Sequence, residues 1–268
     1  MEVANLIDWQ RFPSPHPQID VFLITYLSDG LKVKGFLAVP RWKSNHSDGR
    51  FPGFLYLRGG IKSVGMVRIG RIIQFASEGF VVMAPFYRGN CGGEGFEDFA
   101  GEDRNDALQA FEILRGQPLV DPGNIHVFGF SRGGVMSLIT GIEKPEVKTI
   151  VTWGGVSDMT LTYEERVDLR RMMKRVIGGP PSKVPELYNW RTPLNQIEKI
   201  KAPILIIHGA KDKNVSVEHA YLLEKKLQEQ NKPYESWIFN EYTHYFPPKV
   251  NRKVVQDLTL WMKKGQFV

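Results

Sequence analysis

The chain has 268 residues, 42% hydrophobic and 24% charged, a size and balance that exclude disordered, collagen-like and low-complexity polypeptides and allow roughly three quarters of the unfolded surface to be buried. A single cysteine, Cys91, excludes an internal disulfide and a cysteine-built metal cluster, which suits a reducing compartment such as the cytoplasm. The net charge of +6 comes from basic residues spread among 29 acidic ones, and no nucleic-acid-binding motif accompanies it.

Residues 1–11 lack the basic and apolar regions of a secretory leader, and no apolar run approaches the roughly 20 residues that span a bilayer, so no membrane partner is expected. Segments 21–27 and 31–39 flank Ser28-Asp29-Gly30, turn chemistry between two strands, and predict an opening hairpin. Continuous apolar runs follow at 53–57, 80–84, 125–130, 149–153, 204–207 and 236–239, the pattern of a parallel sheet covered on both faces. Between them, helical patterning at about 66–78, 103–116, 132–142, 218–230 and 250–264 makes this a single α/β domain over residues 1–268. The interval 157–201 is too long for a simple crossover and reads as a helical insertion or cap. Within it Arg170, Arg171, Lys174 and Arg175 have the spacing of a solvated helix face. In such folds ligands sit beyond the carboxyl ends of the strands, so chemistry is sought in the loops that follow them.

Strand 125–130 runs into Gly129-Phe130-Ser131-Arg132-Gly133-Gly134 and then into a helix. With 26 glycines and a dozen serines, a bare G-x-S-x-G arises by chance in about one such chain in ten, so its weight comes from the strand, turn and helix around it. That context strains the serine backbone, lifts its hydroxyl above the sheet and aims a helix N-terminus at a developing oxyanion. Ser131 is the candidate nucleophile.

A serine hydroxyl needs a base, and in this setting the chain order is serine, acid, histidine. His208 ends a strand before Gly209, a turn-forming place, and His219 opens a helix as a solvated residue. His244 follows the last strand in a loop before the terminal helix and is the candidate base. Upstream, His16 and His46 belong to surface loops and His126 to a strand. Asp158 and Asp212 both follow strands and both are physically possible acids. Asp212 is favoured because the neighbouring strand carries His244, while Asp158 suits a helix cap. Asp103 and Asp106 stand near a helix start, where they complement the macrodipole.

Strand 53–57 ends in Arg58-Gly59-Gly60, a loop placed to supply one oxyanion donor, with the residue after the nucleophile supplying the other. The backbone N–H groups of Gly60 and Arg132 are the candidates. Arg58, Ile61, Trp153 and Val215, with Tyr163 and Tyr188 of the insertion, are the expected pocket walls. Cys91 borders that region as a small packed residue.

Several linked stretches now resemble the catalytic domain of the prolyl oligopeptidase family of α/β-hydrolases, from about residue 20 onward. They are Ser28-Asp29-Gly30-Leu31 with Lys34-Gly35-Phe36, Tyr87-Arg88-Gly89 with Gly92-Gly93-Glu94-Gly95, Asp106 ahead of a helix, the Gly129–Gly134 motif, Lys201 to Gly209 with Asp212, and His244. The resemblance implies an α/β-hydrolase fold and a serine hydrolase of peptide or ester bonds with Ser131, Asp212 and His244 as its triad, acting without metal or organic cofactor. Many family peptidases carry a β-propeller, for which 268 residues leave no room. Arg58 stands where members often have His or Tyr, which removes a tyrosine hydroxyl from the oxyanion hole. Asn214 replaces an arginine that some members use to hold a substrate carbonyl. These departures favour small esters and short peptides over strict prolyl choice. A non-catalytic binding protein on the same fold, or an acyltransferase with an acceptor other than water, is the alternative.

Overall fold

The computed structural model describes residues 4–44 and 48–264; His46 lies outside them. Three antiparallel strands come first, β1 (Leu6–Phe12), β2 (Ile19–Ser28) and β3 (Leu31–Pro40). Asp29 and Gly30 both take positive φ, 51° and 76°, the twist that a two-residue hairpin turn requires. Strands and helices then alternate through β4 (Phe51–Leu57), α1 (Ile69–Ser77), β5 (Val81–Pro85), α2 (Arg104–Arg115), β6 (Val120–Phe130), α3 (Gly133–Glu143) and β7 (Thr149–Trp153). Three short helices follow, α4 (Met159–Glu165), α5 (Arg170–Ile177) and α6 (Pro185–Trp190), with 3-10 turns at Val167–Leu169 and Pro193–Lys199. The chain closes with β8 (Ile204–Gly209), α7 (Glu218–Glu229), β9 (Tyr234–Phe239) and α8 (Pro248–Lys264).

Among the described residues nine strands form one sheet in the order β1-β2-β3-β5-β4-β6-β7-β8-β9. From β5 to β9 every neighbouring pair is parallel, and β3 joins β5 antiparallel. This is the α/β-hydrolase architecture that the sequence predicts. Every residue of β4, β5, β7 and β8 is buried, because successive side chains point to opposite faces and helices cover both. Leu55, Val127, Ile150 and Ile204 share one core with Phe111 and Leu114 of α2 and Leu138 of α3. Their strand neighbours Phe54, Phe128, Val151 and Leu205 share the other with Phe75 of α1 and Leu258 of α8. Burying each such side chain contributes roughly 1.5–3 kcal/mol.

Strand β1 escapes the sequence reading because its five central residues are exposed and it shows no apolar run. Antiparallel pairing with β2 and a stack of Trp9 on Phe22, with centroids 5.1 Å apart, hold it. In the 157–201 segment Met173, Ile177, Tyr188, Leu194 and Ile197 are buried in the same core as α2 and α3. Arg171, Lys174 and Arg175 are exposed on α5, a solvated face. No helix among the described residues is long and apolar enough to cross a membrane.

His126 sits inside β6, its Nδ1 2.7 Å from Thr149 Oγ1, its ring edge-on to Phe80 and its Nε2 unpartnered. Burial, with Lys148 and Lys263 nearby, lowers its pKa from an ordinary 6.5 to about 3. Below pH 6.5 the unfolded chain binds a proton here that the folded chain refuses, so stability falls as the pH drops from 6.5 towards 3. His126→Gln is expected to remove about 2 kcal/mol of the acid sensitivity between pH 6.5 and 5, read as parallel urea unfolding curves at the two pH values. Equal sensitivity in parent and variant contradicts the assignment.

Candidate active site

Because β4 to β9 run the same way, the loops after β4, β6, β7, β8 and β9 meet at one rim of the sheet. Strand β6 ends at Phe130 and α3 starts at Gly133, leaving two residues to reverse the chain. Ser131 has φ +57°, a left-handed conformation that a side-chain-bearing residue adopts only under constraint. Three backbone bonds supply that constraint: Ser131 N–H donates to the Trp153 carbonyl at 3.1 Å, and its own carbonyl accepts from Gly134 at 2.8 Å and Val156 at 2.9 Å. The flanking glycines are required by space. A methyl group on Gly129 would lie 2.0 Å from the Gly133 carbonyl oxygen, and one on Gly133 would lie 2.1 Å from that of Leu57.

Asp212 and His244 arrive on the loops after β8 and β9. Those loops are stitched together by Ala210 N–H to the Phe239 carbonyl at 2.9 Å and Lys211 N–H to that of Tyr242 at 3.0 Å. The N–H groups of Asn214 and Val215 occupy Asp212 Oδ1 at 2.8 and 3.0 Å. Oδ2 is left to accept from His244 Nδ1 at 2.7 Å. An acceptor at that distance places the imidazole hydrogen on Nδ1 and leaves Nε2 with a free lone pair.

Gly154 ties this pair to the serine turn. A methyl group on it would lie 3.1 Å from His244 Nδ1 and 3.3 Å from Asp212 Oδ2, and the residue before it, Trp153, receives the Ser131 N–H. The Phe130 ring stands 4.7 Å from the His244 ring. Asp212 and His244 are buried, while Tyr245 beside them is 70% exposed. Gly59 meets the turn from the other side: a methyl group there would lie 2.5 Å from Ser131 Cβ and 3.1 Å from its Oγ. The backbone N–H groups of Gly60 and Arg132 have no hydrogen-bond partner among the described residues.

Other sequence candidates sit differently. Arg58, expected on a pocket wall, has 0% exposure and pairs with Glu97 at 2.9 Å. Trp153 is packed against Phe246, Val215 is buried behind Asp212, and Tyr188 lies in the core with its hydroxyl donating to the Gly179 carbonyl at 3.0 Å. All four are at most 3% exposed and packed into the core instead of lining an open wall. Ile61 and Tyr163 are half-buried.

His219 is buried, not solvated: Ser157 N–H donates to its Nδ1 at 3.1 Å, and its Nε2 lies 3.2 Å from Glu165. His208 gives its Nε2 hydrogen to the Val215 carbonyl at 2.9 Å, and burial lowers its pKa. Asp158 caps α4 by accepting from Leu161 N–H at 2.8 Å. Asp106 and Asp103 do more than complement a helix dipole. Arg88 grips Asp106 at 2.8 Å, and Arg132 grips Asp103 at 2.9 Å. Burial lifts Asp103 to about 7 against the pull of Arg132, with Asp98 and Glu97 reinforcing the rise. Cys91 is exposed, not packed, and lines a cleft of about 460 Å³ with Lys62, Met66 and Phe96. The sequence reading missed Glu97; an acidic residue three positions after Glu94 in a glycine-rich loop carries no local signal of burial.

A strained serine between a parallel strand and a helix, on the same rim of the sheet as loops that carry a histidine bonded to a carboxylate, is an arrangement found in serine hydrolases of the α/β-hydrolase class. A profile of the prolyl oligopeptidase family matches residues 67–266, and the chain belongs to that family. It is 62% identical to the uncharacterized peptidase YtmA of Bacillus subtilis over 96% of this chain and 99% of that protein. It is 23% identical to acylamino-acid-releasing enzyme 1 of Oryza sativa, over 97% of this chain and 38% of that protein. Acylaminoacyl peptidase of Pyrococcus horikoshii superposes with a TM-score of 0.76 at 20% identity, over 98% of this chain and 42% of that one. Acetyl xylan esterase of Paenibacillus sp. R4 superposes at 0.74 and 16% identity, over 96% and 88% of the two chains.

Because the methyl group of Gly59→Ala would meet Ser131 Cβ at 2.5 Å, the turn or the loop must shift. Turnover of a p-nitrophenyl ester is expected to fall about 100-fold, the scale of an ångström-sized displacement of reacting groups. Parental turnover in the folded variant contradicts this close approach.

Proposed function

We propose that the protein cleaves small esters and short peptides through an acyl-enzyme on Ser131, with His244 as base, Asp212 as its orienting acid, and Gly60 and Arg132 N–H as oxyanion donors. The carrying observation is the Asp212–His244 bond of 2.7 Å set against Gly154, whose chain neighbour holds the left-handed Ser131. As Ser131 Oγ bonds to the substrate carbonyl carbon, its proton passes to His244 Nε2 and the carbonyl electron pair moves to oxygen. Collapse of that adduct expels the alcohol or amine, which takes the proton from His244. Water then repeats the sequence to release the acid. The hydrogen bond to Asp212 keeps the imidazole in the tautomer that accepts the proton and steadies the imidazolium that follows. The two unpartnered N–H groups meet the developing negative oxygen, a contribution of roughly 3–4 kcal/mol per donor in comparable sites.

The segment 157–201 is assigned as an insertion within one domain. The peptidase relatives support a carbonyl substrate, and the burial of Arg58, Trp153, Val215 and Tyr188 leaves the half-buried Ile61 and Tyr163 as the candidate pocket residues. The single cysteine, an exposed free thiol, supports a cytoplasmic placement.

A fluorophosphonate probe followed by peptide mass mapping is expected to place one adduct on Ser131. Ser131→Ala abolishes labelling and lowers kcat for a short acyl p-nitrophenyl ester by several powers of ten, and Asp212→Asn lowers it roughly 10⁴-fold. Labelling at another residue, or undiminished hydrolysis by Ser131→Ala, removes the serine from the mechanism.

A further inference from the structure

Two N–H donors carried by different loops serve one oxyanion only while those loops keep a fixed spacing. Here the loop after β4 and the turn after β6 are joined by one buried carboxylate. Glu97, between β5 and α2, has a side chain only 1% exposed. Its Oε1 accepts from Arg58 Nη2 at 2.9 Å and from Arg132 Nη2 at 2.7 Å. Its Oε2 accepts from the backbone N–H of Lys62 at 2.5 Å and from Asn90 Nδ2 at 2.9 Å. Arg58 carries the tie further, donating Nη1 to the carbonyls of Gly59 at 3.0 Å and Val64 at 3.2 Å, and Nη2 to that of Phe86 at 2.9 Å. The Tyr87 ring centroid lies 5.2 Å from the guanidinium carbon of Arg58 and 4.8 Å from that of Arg132.

Gly60 therefore lies between three fixed points, the Gly59 carbonyl, the Lys62 N–H and the Val64 carbonyl. The opposite donor belongs to Arg132, whose side chain Glu97 and Asp103 hold together. Stability alone is a weak reason for such a cluster, because burying four charges costs several kcal/mol per ion and apolar packing often does as well. Directed bonds of fixed length to both loops are what apolar packing cannot supply.

We propose that Glu97 is a positioning residue that sets the spacing of the Gly60 and Arg132 N–H donors, acting through Arg58, Lys62 and Arg132. The inference rests on the serine hydrolase reading above.

The test compares Glu97→Gln with the parent on a short acyl p-nitrophenyl ester and with a trifluoromethyl ketone. Ser131 Oγ bonds to the ketone carbonyl carbon as its own proton passes to His244, and the carbonyl electron pair moves to oxygen, which faces the two donors as an anion. An amide in place of the carboxylate turns one of its ends from acceptor to donor towards the arginines or Lys62. Expected is a 10- to 100-fold fall in kcat/KM, borne by kcat with KM within about threefold, and a rise of the same factor in the ketone inhibition constant. A folded Glu97→Gln that loses thermal stability while kcat and ketone affinity stay within twofold of the parent overturns the proposal. If that variant does not fold, Arg58→Gln/Glu97→Gln restores the buried charge balance and carries the same comparison, with parental values again overturning it. A parent that neither hydrolyses the ester nor reacts with fluorophosphonate overturns the hydrolase reading and this proposal with it, whereas a reactive parent with an indifferent variant overturns this proposal alone.

Discussion

The left-handed backbone at Ser131 is the constraint from which the rest of the rim follows. A residue with a side chain holds φ +57° only where surrounding bonds fix it, and here β7 and the strand-to-helix turn provide them through Trp153, Gly134 and Val156. The tight reversal in turn demands glycine at 129 and 133, brings β4 within contact of α3 through Leu57, and lets Gly59 press against the serine. A looser turn would relieve the strain and release the loop that faces it.

The carboxylate and imidazole depend on the same rim but are fixed independently. Two backbone N–H groups hold one oxygen of Asp212, so the other has a single direction in which to accept. The stitched loops after β8 and β9 bring His244 into that direction. Gly154 leaves the space in which the pair and the serine turn approach one another, and its φ of +51° suits a residue without a side chain.

Buried charge forms a second layer around the turn. Arg58, Arg132, Glu97 and Asp103 are joined by bonds of 2.7 to 2.9 Å, with Tyr87 against both guanidinium groups. The layer accounts for the burial of two long basic residues, Arg132, which carries one proposed oxyanion donor, and Arg58, two positions before the other: their guanidinium groups are enclosed in ion pairs with Glu97 and Asp103. It also separates Arg58 from the pocket role suggested by its place in the sequence.

The parallel core strands, the five longer helices and the strand–Ser131–helix turn were determined by the sequence itself, because apolar runs, 3.6-residue periodicity and glycine spacing are local consequences of which face each residue must bury. His244 and Asp212 could be singled out by chain order, yet their bond could not, since it depends on two loops 32 residues apart meeting at the correct register. Tertiary structure alone decided the fates of Arg58, Trp153, His219 and Glu97. Whether a polar side chain at a strand end turns outward to solvent or inward to a partner is set by neighbours remote in the chain, and nothing in residues 94–97 distinguishes the half-exposed Glu94 from the enclosed Glu97. Strand β1 was hidden for the converse reason: an exposed edge strand owes its form to hydrogen bonds with β2, and such bonds leave no apolar pattern in its own sequence.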